Sequence, residues 1–383
     1  MSSLRNSQLT PPAARPALAR IDPLIHGGPG EETGFRVIRA DFSTGVNAFG
    51  PAPVVMDALR NADPAAYPDP QCRLARDAAS RWTGRPADEV LIGAGTVELI
   101  YAATQAFVRP GDLVLVVEPA FGEYRRAARL AGAKVCASHF AGGSARRHGA
   151  VEDFCQTLLR HRPRMAFVGS PESATGAALE PELLTRMADV CQLVGTLLVL
   201  DQAYDAFTRR PLGTPALPGH AAVLHLRSLT KDHALAGVRV GLAVGPGTVI
   251  EAVARVRPPW TASSLAQAAV IAACAEPAQR HVQATTASLI EEASRLAAVC
   301  AGAGIRPLPS ATHYFLLEVG DGDRVARALL HDHALRVRSA VSFGFPSCIR
   351  VAARRPEENA LLVPALRKIA SLPATENHRV EPH

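Results

Sequence analysis

From about residue 85 to residue 245 the chain alternates two kinds of segment, and that alternation decides what it can fold into. Short apolar runs at Glu89–Gly93, Leu113–Val117, Lys134–Ala137, Met165–Gly169, Thr196–Leu200, Ala222–Leu226 and Arg239–Val244 read as strands. Between them, Val97–Val108, Tyr124–Ala131, Val151–Arg160 and Pro181–Val194 repeat apolar residues at three- and four-residue intervals, the spacing of an amphipathic helix. Strands that alternate with helices imply a mostly parallel sheet covered on both faces. The expected core is an α/β fold: a three-layer α/β/α large domain on a seven-stranded, mostly parallel sheet.

After Trp260 the pattern changes. A long Ala-rich helical segment, Ser263–Gly302, leads into strand, helix, strand, strand and helix between Thr312 and Leu372, which reads as a smaller α+β domain. Upstream, Phe35–Phe42 resembles a strand, and Pro53–Asn61 a short helix whose proline sits in the first turn, where no amide donor is needed. The expected division is a flexible N-terminal tail (1–25), an N-terminal segment joining the small domain (26–55), the large domain (56–262), the small domain (263–372) and a flexible C-terminal tail (373–383).

Composition narrows the function classes. Lys and Arg number 41 against 35 Asp and Glu, a net charge of +6, but the arginine runs Arg125-Arg126, Arg146-Arg147 and Arg354-Arg355 are too short to form a nucleic-acid-binding stripe. The 7 cysteines include no Cys-x-x-Cys pair and sit mostly in apolar runs, as at Cys136, Cys191, Cys274 and Cys300, which suits reduced core thiols better than metal ligands. No apolar stretch is long enough to span a bilayer, and Met1–Arg20 lacks the apolar centre of a signal peptide. These features lead us to expect a cytoplasmic protein with neither a nucleic-acid nor a membrane partner.

Three motifs carry chemistry. Ser228-Leu229-Thr230-Lys231 begins at the carboxyl end of an expected strand, where doubly wound folds place their ligands. A lysine there can form a Schiff base with an aldehyde cofactor, while Ser228, Thr230 and Arg239 can clamp a phosphate; the plainer alternative is a surface lysine with Arg239 as a solvated charge. Asp201-Gln202-Ala203-Tyr204 ends the strand Thr196–Leu200, and a carboxylate in that position can pair with a protonated pyridine nitrogen or simply cap the next loop. Gly93-Ala94-Gly95-Thr96 joins a strand to a helix whose free N–H groups form an anion site. A Gly-x-Gly turn alone is weak evidence, but the three motifs in this order point to one ligand site.

These residues, with Gly237-x-Arg239-x-Gly241, resemble the fold-type I aminotransferase superfamily (class I and II), which uses pyridoxal 5′-phosphate (PLP). The similarity runs from about residue 26 to 372. Within the superfamily, His26-Gly27-Gly28, Asp41-Phe42-Ser43 with Asn47, Tyr67-Pro68-Asp69, Phe121-x-Glu123-Tyr124 and Pro258-Pro259-Trp260 look most like threonine-phosphate decarboxylase of cobalamin biosynthesis. Histidinol-phosphate aminotransferase comes next.

The resemblance implies that Lys231 holds PLP and moves protons during turnover, Asp201 pairs with the pyridine nitrogen, Tyr204 bonds the ring's phenolic oxygen and Phe121 stacks on the ring. Gly95, Thr96, Ser228, Thr230 and Arg239 would hold the phosphate, with Val97 also at the cofactor. Tyr67 would reach the phosphate from the neighbouring subunit, making the enzyme a homodimer with shared sites. Arg350 would grip the substrate α-carboxylate, with Asn47 nearby, and Arg338 with His26 would receive a phosphate or other anion. For Arg338 the competing reading is a solvated charge, and for His26 an ordinary loop residue.

Three departures bear on the reaction. Ser173-Ala174-Thr175-Gly176 stands where the family has Asn-Pro-Thr-Gly, so Ser173 replaces an amide at the cofactor; Gln202 replaces a Glu; and Pro29 follows His-Gly-Gly. The expected function is PLP-dependent decarboxylation of a small anionic amino acid such as O-phospho-L-threonine, with transamination of the histidinol-phosphate type as the alternative. A catalytically silent PLP-fold regulator is a third reading, and the intact set Lys231, Asp201, Tyr204, Arg239 and Arg350 speaks against it.

Overall fold

Residue alternation along the central strands builds the three layers. In the computed structural model, which describes residues 18, 21, 27–28, 37–140 and 144–370, the seven strands are β2 (Val90–Gly93), β3 (Leu113–Glu118), β4 (Lys134–His139), β5 (Met165–Gly169), β6 (Leu197–Asp201), β7 (Val223–Arg227) and β8 (Gly241–Val244). A preceding two-residue strand, β1 (Ala40–Asp41), belongs elsewhere. The large sheet has the order β2-β8-β7-β6-β5-β3-β4. Only β8 runs against its neighbours, antiparallel to both β2 and β7.

Val114 and Val116 of β3 point into one apolar cluster, which includes Leu99 and Ile100 of α3 (Thr96–Phe107) and Tyr124 and Ala127 of α4 (Gly122–Leu130). Leu115 and Val117 point into another, which includes Phe154 and Leu158 of α5 (Ser144–His161) and Leu184 and Met187 of α6 (Pro181–Val194). Both faces of the sheet are therefore buried, as period-two side chains between two helix layers require. Losing one of these fully buried leucines to alanine would cost about 2–5 kcal/mol.

All seven expected strands form, and the differences lie at their ends. The last begins at Gly241 rather than Arg239, because Arg239 has φ +60° and so leaves the extended conformation. The strand expected at Thr196–Leu200 ends one residue later, which makes Asp201 its terminal residue.

The rest of the chain forms two smaller sheets. Strands β9 (Tyr314–Glu318), β11 (Arg338–Ser339) and β12 (Cys348–Ala352) form an antiparallel sheet in the order β11-β12-β9, and β1 pairs in parallel with β10 (Leu335–Arg336). Ala40 and Phe42 are thereby buried in the same cluster as Leu296 of α9 (Glu276–Gly302), Leu329 of α10 (Gly322–His333) and Leu366 of α12 (Leu362–Ala370).

Two expectations are corrected here. Within Phe35–Phe42 the described strand is only Ala40–Asp41; Phe35 and Arg36 lie outside the described residues, and Val37 is exposed. The segment Ser263–Gly302 is two helices, α8 (Ser264–Ala273) and α9, broken at Cys274–Ala275 before the Pro277 that opens the second. Helix α1 (Pro53–Asn61) is as expected, followed by α2 (Arg73–Thr83), while α7 (Gly247–Arg255) and α11 (Pro356–Asn359) complete the set. Residues 371–383 and most of 1–25 lie outside the described residues. Among the described residues no helix is long and apolar enough to cross a membrane.

Candidate active site

A cavity of about 310 Å³ lies at the carboxyl ends of β6 and β7 and is closed on its far side by Arg338, Phe343 and Arg350. Its first end is an anion cup. Gly95 has φ +87°, a backbone conformation that favours glycine, and a Cβ there would also press on Arg239 Nη2 at 2.9 Å and push the guanidinium away. Gly241 is constrained in the same way, since its Cβ would stand 2.9 Å from the Thr96 amide nitrogen. The start of α3 thus aims Thr96 and Val97 at the cavity, facing Ser228 and Thr230, whose hydroxyls bond each other. Arg239 holds its left-handed backbone at a cost of about 1–3 kcal/mol. Its Nη1 donates to the Ala236 carbonyl at 2.9 Å, which fixes the side chain beside the cup.

The middle of the cavity pairs a carboxylate with an amine. Asp201 is buried and accepts bonds from the Tyr124 hydroxyl at 2.8 Å and the Ala203 N–H at 2.9 Å. Burial pushes its pKa up, opposed by those two donors and the charge of Lys231; a cation placed against it would stabilise the carboxylate further. Tyr124 is held by stacking on Phe167, with ring centroids 4.9 Å apart, and by the edge of Phe121 at 5.7 Å. Lys231 Nζ lies 5.7 Å from the centroid of the Tyr204 ring. Behind the lysine, Arg227 donates to Asp232 Oδ2 at 2.8 Å and reaches Asp205 Oδ2 at 3.4 Å, a buried network that anchors the loop.

The second end is built from two arginines. Arg338 and Arg350 are directly opposed in the β11–β12 register, and both are buried. Arg350 donates to the carbonyls of Ser43, at 2.9 Å, and Ser173, and its guanidinium lies over the Tyr314 ring at 5.1 Å. Arg338 donates to Ser342 Oγ at 3.0 Å and lies over the Phe343 ring at 5.2 Å. Burial first, and the like charge of Arg350 second, lower the Arg338 pKa to about 10. Two guanidiniums held this close together in a partly desolvated site favour an anionic ligand.

Of the residues singled out from sequence, Thr96, Val97, Phe121, Ser173, Asp201, Tyr204, Ser228, Thr230, Lys231, Arg239, Arg338 and Arg350 line this one cavity, and Gly95 shapes its cup. Asn47 does not line it. Its N–H donates to the Lys231 carbonyl at 2.9 Å, and its side-chain amide donates to the Asp232 carbonyl at 2.9 Å and Thr285 Oγ1 at 2.8 Å, so it braces the lysine loop from behind. Tyr67 is 84% exposed, outside the cavity, with its ring 5.2 Å from that of Trp260. His26 lies outside the described residues, although its neighbour Gly27 lines the cavity.

Gln202 turns away from the site. Its side chain meets His225 Nδ1 at 3.0 Å and donates to the Gly213 carbonyl at 2.6 Å, while burial holds the His225 pKa near 3. A neutral amide therefore faces a neutral imidazole, and the substitution places no altered charge on the cavity wall. Tyr124 and Ser43 belong to motifs recognised in the sequence, yet their places on the wall were not foreseen; Thr44, Ser342 and Phe343 carried no local signal at all.

PLP fits what is present. There is an amine (Lys231), a buried carboxylate (Asp201), a glycine-cut cup with an arginine for a phosphate, and, on the lining residue Ser173, a buried hydroxyl with no partner among the described residues. This fold with this site defines a PLP-dependent enzyme of fold type I.

The family profile described as aminotransferase class I and II matches residues 38–366, and the chain belongs to that family. It is 32% identical over 369 residues to histidinol-phosphate aminotransferase of Anaeromyxobacter sp. (strain Fw109-5), covering 94% of this chain and 99% of the relative. The enzyme of the same name from Roseiflexus castenholzii is 29% identical, with 88% and 90% covered. Two solved structures share the fold: histidinol-phosphate aminotransferase from Sinorhizobium meliloti in complex with PLP (TM-score 0.81, 24% identity, 92% and 97% covered) and L-threonine-O-3-phosphate decarboxylase from Porphyromonas gingivalis (TM-score 0.76, 22% identity, 86% and 99% covered).

Proposed function

We propose that the protein is an aminotransferase of the histidinol-phosphate type, moving an amino group between small substrates that carry an anionic group. The observation that carries this reading is the register-matched pair Arg338 and Arg350, facing Lys231 across one cavity. It is supported by the names of the most similar relatives, all histidinol-phosphate aminotransferases. The decarboxylase expected from sequence has weaker support: its likeness at 22% identity speaks for the fold, and every cofactor-side residue serves either reaction.

When bound, PLP supplies an aldehyde for the substrate amine and a ring that takes up the electron pair released at the α-carbon. Lys231 Nζ would hold the cofactor and then carry the proton at the substrate α-carbon. Asp201, kept in place by Tyr124, would hold a proton on the ring nitrogen, with Phe121 against the ring face. Tyr204 and Ser173 would donate to the ring oxygen, Ser173 with the reach of a short hydroxyl. Gly95, Thr96, Val97, Ser228, Thr230 and Arg239 would bind the phosphate. Arg350 would take a carboxylate and Arg338 a second anion; a fork of donors suits both planar carboxylates and phosphates. Alternating substrates, one phosphorylated and one dicarboxylic, can share such a pair.

We also assign a homodimer, in which the exposed Tyr67 beside Trp260, with Leu74 at 73% exposure, meets a second copy. The working division is a large PLP-binding domain (56–262) and a small domain (26–55 with 263–372), and the location is the cytoplasm, where seven unpaired cysteines stay reduced.

The test supplies L-histidinol phosphate with 2-oxoglutarate and, separately, O-phospho-L-threonine. Glutamate formation in the first and no CO2 from the second is the expected result. CO2 release without amino transfer would overturn the proposal in favour of the decarboxylase.

A further inference from the structure

The anion cup is braced from outside by a residue that does not line the cavity. Arg257 lies just past α7, and its guanidinium spans the Gly93–Thr96 turn. Nη2 donates to the Ile92 carbonyl at 2.8 Å on the strand side, while Nε donates to Glu98 Oε1 at 2.6 Å, and Nη2 to Glu98 Oε2 at 3.1 Å, on the helix side. Glu98 Oε2 in turn accepts the Ala94 N–H at 3.2 Å, inside the turn. A Cβ on Gly93 would stand 2.5 Å from Leu99 Cγ and 2.7 Å from that same oxygen, so the glycine makes room for both the buried leucine and the carboxylate. The pair is largely shielded, with side-chain exposures of 10% for Arg257 and 23% for Glu98.

This arrangement poses an electrostatic problem. Glu98 is the third residue of α3, in the first turn, where a carboxylate interacts favourably with the helix terminus. An anion bound at that terminus would meet its negative charge. Arg257 offsets that charge by a two-point contact and also ties the strand end to the helix start.

We propose that Arg257 is a positioning residue for phosphate recognition: it neutralises Glu98 and fixes the turn, so that the free amides of α3 and Arg239 can receive a dianionic phosphate. The proposal rests on the reading of the cup as the cofactor-phosphate site.

The experiment compares PLP with pyridoxal, which lacks the phosphate, binding to the cofactor-stripped full chain, read by the absorbance of the bound aldehyde and by competition with inorganic phosphate. In the wild type, PLP should bind much more tightly than pyridoxal; equal binding would sink the reading of the cup itself. Arg257→Gln, which keeps a donor but removes the charge, should weaken PLP and inorganic phosphate about tenfold and leave pyridoxal within about twofold. Adding Glu98→Gln should restore most of the loss. Equal weakening of PLP and pyridoxal, unchanged selectivity in Arg257→Gln, or no recovery in the double variant would each overturn the role of Arg257. Should Arg257→Gln fail to fold, the double variant, with neither charge present, is compared with wild type: phosphate selectivity within about threefold is expected, and a tenfold loss overturns the proposal.

Discussion

At one end of the cavity the functional side chains leave the carboxyl edge of the seven-stranded sheet or the turns beside it; at the other, Arg338 and Arg350 come from short antiparallel strands of a different sheet. The first end is tightly determined. Gly95 holds a φ of +87° and Gly241 has backbone where a Cβ would go, Asp201 has two fixed donors, and the lysine loop hangs on the Arg227–Asp232 contact. The second end holds its guanidiniums by carbonyls, a hydroxyl and aromatic faces. The first end fixes the groups proposed for the cofactor by crowded backbone, and the second fixes the pair proposed for the substrate by a strand ladder; both are ways of holding a site on ordered elements.

Variants at the two ends should separate these roles. Lys231→Ala should keep the far-UV circular dichroism spectrum yet lose several orders of magnitude in turnover, since no neighbouring amine can substitute. Turnover near wild type, or borohydride failing to attach the cofactor to wild-type Lys231, would break the assignment of the first end. Arg338→Met should act differently, raising the KM for the anionic substrate about tenfold or more while leaving the cofactor's absorbance unchanged.

The same variant has a stability consequence. Arg338 has a folded-state pKa lowered to about 10 from 12.5, so burial penalises its charged form. The penalty is present in full below that folded value and fades as pH rises toward the unfolded one. Arg338→Met should therefore raise Tm at pH 7 and raise it less above pH 10. A drop in Tm at pH 7 would mean that the arginine stabilises the fold. The smallest effect is expected from Gln202→Glu, which faces His225 rather than the cavity: kcat/KM should stay within about threefold, under 1 kcal/mol. A larger change would place that position in the site after all.

The same contrast explains what could be read from the chain alone. The cup is assembled from two short contiguous stretches, the Gly93–Val97 turn and the loop from Ser228 to Arg239, and each announces itself locally through Gly93, Gly95, Ser228 and Thr230. The central strands were legible because both faces are buried, so β3, β5 and β6 are nearly continuous apolar runs; the edge strand β4, with Lys134, Ser138 and His139, is not. The pairing of Arg338 with Arg350 depends on a ladder between short strands, and the Tyr124 hydroxyl reaches Asp201 across 77 residues of sequence; neither leaves a local trace. Asn47 shows a subtler limit: the resemblance puts it near the substrate carboxylate, but its side chain points to the back of the lysine loop. The break between α8 and α9 was hidden because the alanine-rich pattern runs straight through it.

Strand β11 is only two residues long, and its register against β12 is what turns Arg338 into the cavity. Side chains alternate faces along a strand, so a slip of one residue would present Ser339 in its place without altering a single amino acid. If Arg338 binds substrate as proposed, selectivity is partly a matter of phase, and a one-residue insertion or deletion in the 340–347 connection should retune it as effectively as replacing an arginine. Such a change would leave the machinery at the opposite end untouched, which gives this scaffold a route to new substrates through loop length alone.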